Sequence, residues 1–294
     1  MTKLSPGAQF RELLKQPPLM IPGVFNALVA KLAQRIGFQA VYQSGAALSA
    51  QLAALPDVGL ISMTEFAQQA KYLVQAVDVP VISDADTGFG EPLAVERCVE
   101  EYEAVGLAGL HLEDQQLPKR CGHLSGKSLV DIEQMTAKLS AAANARKDTD
   151  FVIIARTDAR GVDGFDDALN RARAYVDAGA DVIFPEALQT PQEFEQFSSE
   201  ISVPLMANMT EFGKSPLLSA QELADLGFTA VLFPVSTLRV AMKGVEDFLS
   251  SLLQHGTQAD SLGNMQTRAE LYELLGYQDF DQRDQAYFGQ PHKE

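Results

Sequence analysis

The chain has 294 residues, 46% of them hydrophobic and 21% charged, with 23 lysines and arginines against 39 aspartates and glutamates, a formal net charge of −16. So acidic a surface repels nucleic acid and anionic lipid and argues against both as partners. No apolar run approaches a membrane span, Arg11, Glu12 and Lys15 break up the place of a signal-peptide core, and two cysteines, Cys98 and Cys121, are too few for a disulfide framework, so the expected location is the cytoplasm.

From residue 18 onward eight short apolar runs alternate with longer amphipathic segments: 19–22, 40–42, 80–83, 109–112, 151–155, 182–185, 204–207 and 230–234. The second, fourth, sixth and eighth share one approach, through Gly37, Gly106, Gly179 and Gly227, where a glycine ends a helix and a short turn enters a buried strand. The third and seventh open instead on Val79-Pro80 and Val203-Pro204, where proline starts a strand without removing an interior ladder bond. Between the runs, helices are predicted over 64–77, 92–105, 131–146 and 163–178, and beyond the last run over 237–253 and 265–275. Eight such units predict an α/β chain folded as a closed (β/α)8 TIM-type barrel. An open doubly wound sheet is the alternative, but it wants a glycine-rich turn after its first strand, where Pro22-Gly23-Val24-Phe25-Asn26 stands. The organisation read is one domain: an arm at 1–17, the barrel at 18–253 and a C-terminal extension at 254–294.

A barrel of this kind builds its site from residues at the C-terminal ends of its strands. Those ends supply Tyr42 and Ser44-Gly45-Ala46, then Asp84-Ala85-Asp86, then His111, Glu113 and Asp114. They continue with Arg156, Thr157 and Asp158, then Glu186, then Asn208 and Thr210, and finally Ser236. Asp84 and Asp86, two apart on an extended exit, offer hard oxygen ligands; with Glu113 or Asp114 they suit Mg2+, and Mn2+ nearly as well. The competing reading of the pair is turn-forming aspartates before Gly88 and Gly90. Arg156, Arg239 and Arg268 offer forked donors for carboxylates, although Arg239 and Arg268 read equally as helix-surface arginines.

Past the fourth run lies Lys119-Arg120-Cys121-Gly122-His123, which sets a thiol beside two permanent cations and an imidazole. Nearby positive charge favours a thiolate and tunes the thiol for proton transfer; a solvated polar loop with an incidental cysteine is the plain alternative. A metal, carboxylate-binding arginines and a proton-donating thiol at one mouth point to carbon–carbon cleavage next to a carboxylate.

These residues carry a resemblance. Ala207-Asn208-Met209-Thr210-Glu211-Phe212-Gly213, Phe184-Pro185-Glu186, Asp84-Ala85-Asp86-Thr87-Gly88-Phe89-Gly90, His111-Leu112-Glu113-Asp114-Gln115, Ala155-Arg156-Thr157-Asp158, Met265-Gln266-Thr267-Arg268 and the cysteine loop resemble the isocitrate lyase and phosphoenolpyruvate mutase superfamily, and within it the methylisocitrate lyases. The resemblance implies cleavage of 2-methylisocitrate to pyruvate and succinate in propionate breakdown, the methylcitrate cycle. It implies Mg2+ on Asp84 and Asp86 and, through water, Glu113. It also implies a pyruvate site at Ser44, Gly45 and Ala46, and a succinate site at Arg156, Asn208, Met209, Thr210, Arg239 and Arg268 with Glu186 nearby. Cys121, with Gly122 beside the substrate, is the implied acid, assisted by Lys119 and His123; Tyr42 is the candidate base. Ala46 stands where the family usually has a second glycine, which leaves fine substrate choice open. The alternative within the superfamily is another 2-oxo or 2-hydroxy diacid, as for an oxaloacetate decarboxylase or dimethylmalate lyase. A homotetramer with the last helices exchanged between subunits is implied as well.

Overall fold

The computed structural model describes residues 4–120, 122–123 and 126–288; Cys121, Leu124 and Ser125 lie outside the described residues, as do 1–3 and 289–294. The chain forms two compact units, Met1–Leu238 and Arg239–Glu294. The first contains eight strands: β1 (Leu19–Val24), β2 (Val41–Gln43), β3 (Val81–Asp84), β4 (Gly109–Glu113), β5 (Val152–Thr157), β6 (Val182–Pro185), β7 (Met206–Asn208) and β8 (Ala230–Phe233). All ladders are parallel, in the order β6-β5-β4-β3-β2-β1-β8-β7. A parallel bridge between Ile183 and Leu205 joins the two ends, so the sheet comes round into a nearly closed barrel. Each predicted run overlaps its strand. The four predicted glycine turns are present, with φ of 115, 93, 104 and 91° at Gly37, Gly106, Gly179 and Gly227, a region that side chains with a Cβ avoid.

Side-chain alternation along the strands divides the core. Ile21, Tyr42, Ile82, Ile154, Phe184 and Leu232 pack inside the barrel. Their neighbours Val41, Val81, Ile153, Ile183 and Val231 face the helices, against residues such as Leu73, Val99, Leu139 and Phe197. Helix starts are set by side-chain caps: Ser62 and Glu65 form a reciprocal box at the head of Met63–Ala76, and Asp131 and Gln134 another at Ile132–Ala145.

The segment before β1 is a helix, Pro6–Leu14, that closes the N-terminal end of the barrel. Phe10 is fully buried in the inner core, and Gly7 lies so close to β5 that an added Cβ would be 2.3 Å from the Asp150 carbonyl. Arg11 donates to that carbonyl at 2.9 Å and pairs with Asp181 at 2.9 Å. With this end plugged, the opposite mouth is left for polar side chains.

The second unit comprises most of the helix Ser236–His255, a 3-10 segment Ala259–Asn264 and the helices Arg268–Leu275 and Tyr277–Phe288, with Tyr272 and Tyr277 stacked at 4.8 Å. Val240, Leu249, Leu253, Phe280 and Phe288 are exposed on it. Among the described residues no helix is long and apolar enough to cross a membrane.

Candidate active site

β3 delivers Asp84 to the mouth, and the turn after it folds back so that Asp86, at φ 46°, donates its N–H to Asp84 Oδ1 at 2.9 Å. Asp84 Oδ2 accepts the Gly45 N–H at 3.1 Å and the Tyr42 hydroxyl at 3.2 Å. Gly45 is the first residue of a helix, Gly45–Ala53, capped by Ser44, so the positive end of a helix faces the carboxylate. Glycine lets the carboxylate come this close, because a Cβ at Gly45 would lie 2.6 Å from Asp84 Oδ2 and push it aside. The Tyr42 hydroxyl is also 2.6 Å from His111 Nε2, and the two rings stack. Lys119, brought by the loop after β4 and only 2% exposed, pairs with Asp86 and, at 2.5 Å, with Asp57. Glu113 ends β4 between the two halves of the site: Oε2 lies 3.3 Å from Arg156 Nη1, and Oε1 is buried with no hydrogen-bond partner.

Across the mouth Arg156 grips Asp158 with Nε at 3.0 Å and Nη2 at 3.1 Å, and its Nε lies 3.4 Å from Glu186. Glu186 meets His123 Nε2 at 2.5 Å and accepts from Asn208 at 3.1 Å. Because His123 Nδ1 accepts the Lys214 N–H at 2.9 Å, the proton of a neutral ring sits on Nε2, directed at Glu186. Lys127 bonds the Gly122 carbonyl and, at 2.6 Å, Asp158. The loop's stem is closed by a Gln115–Leu129 bridge, and Gly122 lies against Arg156 and Glu186 so tightly that a Cβ would be 2.3 Å from Arg156 Nη2. The described part of the loop is therefore folded down over the mouth.

The charges do not balance. Asp57, Asp84, Asp86, Glu113, Asp158 and Glu186 crowd around Lys119, Lys127 and Arg156, and His111 lies 3.4 Å from Asp84. Burial lifts the Asp86 carboxyl, and Asp84 and Asp57 add to it against Lys119, so that it is pushed up to about 7. Glu113 is raised well above the ordinary range, by burial first and by Asp158 and Asp84. Burial opposes ionisation of Asp84 too, but His111, Lys119 and Arg156 outweigh it and hold the carboxyl down to about 2.

A surplus of buried carboxylate, with one Glu113 oxygen unpartnered, fits a divalent cation. Among the described residues no three His, Cys, Asp or Glu side chains converge closely enough to hold an ion together. The donor set thus suits an ion that takes one or two carboxylates and keeps its waters, as Mg2+ does.

The fold brings together most of the residues expected from sequence: Tyr42, Ser44, Gly45, Asp84, Asp86, Glu113, Lys119, Gly122, His123, Arg156, Glu186 and Asn208. Ala46 follows Gly45 in the capped helix. Met209 turns the other way; its side chain is buried in the outer core, with sulfur accepting the Leu218 N–H at 3.4 Å. Thr210 is half-buried after β7. Arg239 and Arg268 belong to the second unit, and Cys121 lies outside the described residues. Burial, then Asp84, raises the Tyr42 phenol well above its usual value, and in this arrangement its hydroxyl donates to Asp84. Asp57 and Lys127 were not anticipated. Lys127 had a signal, lying in the loop that carries Cys121, whereas nothing local marks Asp57.

The model of a family described as phosphoenolpyruvate phosphomutase matches residues 10–253. Over 280 residues the chain is 49% identical to a 2-methylisocitrate lyase of Aeropyrum pernix, covering 95% of this chain and 90% of that one. Over 268 residues it is 52% identical to a probable 2-methylisocitrate lyase 2 of Corynebacterium glutamicum, covering 91% of this chain and 87% of the relative. A solved structure of oxaloacetate acetylhydrolase with the inhibitor 3,3-difluorooxalacetate superposes with a TM-score of 0.91 at 34% identity, covering 97% of this chain and 98% of the other.

Proposed function

The chain belongs to the phosphoenolpyruvate phosphomutase family, and from that membership we propose that it is a carbon–carbon lyase cleaving 2-methylisocitrate to pyruvate and succinate. The observation that carries the reading is the near-full-length identity, 49% and 52%, to relatives named 2-methylisocitrate lyase. The geometry supplies the means.

Asp84 and Asp86, with Glu113 through water, are the residues to hold Mg2+, with Mn2+ able to replace it. When bound, the ion supplies Lewis-acid polarisation of the hydroxy-acid oxygens. Ser44 and Gly45, at the head of their helix, border the place of the carboxylate that becomes part of pyruvate, a role that rests on the resemblance. Arg156, kept in place by Asp158 and Glu186, and Asn208 face the fragment that becomes succinate. The bond between the hydroxyl-bearing carbon and its neighbour breaks. The hydroxyl proton leaves to a base as the carbonyl of pyruvate forms, and the bonding pair remains on the succinate fragment. Cys121 gives that carbon its proton, a role that rests on the resemblance. Lys119 supplies positive charge beside the carboxylates, and His123 fixes Glu186 through its Nε2 proton. Folded over the mouth, the loop would shield the reacting carbon from water. Arg239 and Arg268 rest on the resemblance alone as further carboxylate ligands, as do the cytoplasmic location and the place in propionate breakdown.

The test is incubation with Mg2+ and, separately, 2-methylisocitrate, isocitrate, 2,3-dimethylmalate and oxaloacetate, with products read by NMR. Pyruvate and succinate from 2-methylisocitrate, at the highest kcat/KM of the set, is the expected result. The likeness to oxaloacetate acetylhydrolase favours a second reading, an enzyme of another 2-oxo diacid; consumption of oxaloacetate alone would establish it.

A further inference from the structure

Behind the mouth lies a buried polar cluster that the proposed reaction does not use. Asp114, fully buried just past β4, accepts the Asp158 N–H through Oδ1 at 2.8 Å. Its Oδ2 accepts the Thr157 hydroxyl at 2.7 Å and the Tyr175 hydroxyl at 2.8 Å, with Arg171 Nη1 at 3.4 Å. Arg171 and Tyr175 are one turn apart on the helix Phe165–Asp177. Arg171 Nη1 also donates to the Val130 carbonyl at 2.9 Å and to Tyr175 at 3.2 Å, while its Nε holds Asp167 at 2.7 Å. Val130 is in turn bound through its N–H to the Asp114 carbonyl at 2.9 Å.

The cluster thus joins the ends of β4 and β5, a helix outside the barrel, and the returning stem of the cysteine loop. What it fixes matters for the site. Asp158, whose N–H is held by Asp114, is the carboxylate that orients both Arg156 and Lys127, and Lys127 bonds the Gly122 carbonyl. A buried charged cluster is a poor source of stability compared with apolar packing of the same volume, so its value here lies in orientation.

We infer that Asp114, Arg171 and Tyr175 are positioning residues: they set Asp158, and through it Arg156 and Lys127, and tie the loop's stem to the barrel. None of them touches substrate. The catalytic consequence rests on the lyase reading; the structural one does not.

Two variants test it. Tyr175→Phe removes one hydroxyl and keeps the ring, and Arg171→Lys keeps the charge and loses the fork. In both, amides of residues 114–120 and 126–130 are expected to exchange about tenfold faster, while those of the helix Pro92–Val105 keep their protection. With 2-methylisocitrate, kcat is expected to fall about tenfold with the half-saturating Mg2+ concentration unchanged, since Asp84 and Asp86 come from β3. Unchanged exchange at 114–120 and 126–130 overturns the inference. So does equal loosening of every peptide, or a rise in half-saturating Mg2+ in step with the loss of kcat, because the cluster then serves only general stability. Should the wild-type chain show no lyase activity, the proposed function fails, and the exchange measurement still decides the inference.

Discussion

Asp86 and Glu186 are both buried carboxylates in one mouth, yet their surroundings drive them in opposite directions. Asp86 sits among like charges with Lys119 as its near cation and is pushed up to about 7. Burial works against Glu186 as well, but Arg156, the hydrogen bond from His123 and Lys127 outweigh it and hold its carboxyl below the ordinary range. A carboxyl depressed in the folded state stabilises the fold above its unfolded value, ~4.3, and that contribution is lost as pH falls through the folded value. The stability gap between wild type and Glu186→Gln, measured by urea unfolding, is therefore expected to be full at neutral pH and to shrink as pH drops below about 4. Cys121→Ser is expected to lower kcat by about 10²- to 10⁴-fold, the usual worth of a positioned acid, while isothermal titration finds Mg2+ affinity retained. Full turnover in that variant would remove the thiol from the mechanism. At this scale the sequence pointed to residues that the fold does gather at one mouth, such as Asp84, Asp86, Lys119 and His123. It could not disclose that Arg156 is engaged by Asp158, that Tyr42 donates to Asp84, or that Asp57 meets Lys119, because these pairings depend on which strand end lies beside which.

The eight strands were legible because a sheet covered on both faces needs nearly continuous apolar runs, and the glycine turns leading into them leave their own mark. The runs end early where the ladder continues into the site: Asp84, Glu113, Arg156 and Thr157 are in strands, but their polarity breaks the pattern. The helix Pro6–Leu14 was hidden for another reason, since its purpose as a plug appears only when the barrel closes over Phe10. Phe10→Ala is expected to cost about 3–5 kcal/mol in denaturant unfolding while leaving KM and metal dependence unchanged, because the plug lies at the end away from the site. Gly122→Ala should do the reverse. Its methyl would press on Arg156 and Glu186, so the loop must lift, and kcat/KM is expected to fall by at least about tenfold with the melting temperature unaltered.

At the scale of the molecule, the second unit leaves large apolar side chains in solvent, with Leu253 at 90% and Phe288 at 77% exposure. The homotetramer with exchanged terminal helices that the resemblance implies would cover side chains of this kind. Analytical ultracentrifugation is expected to give a mass near four times 31.9 kDa; a monomer at working concentration would count against it. The acidity of the chain, −16 overall, extends into the mouth, where carboxylates outnumber Lys119, Lys127 and Arg156; a divalent cation held there would offset that surplus for the anionic substrate proposed. The most direct test of the central claim is cleavage of 2-methylisocitrate in D2O with Mg2+ present. Equimolar pyruvate and succinate, with one deuterium on a succinate methylene carbon, formed at least about 10²-fold more slowly by Cys121→Ser, is the result predicted. Intact substrate after prolonged incubation with the wild-type chain, or undiminished cleavage by Cys121→Ser, would contradict it.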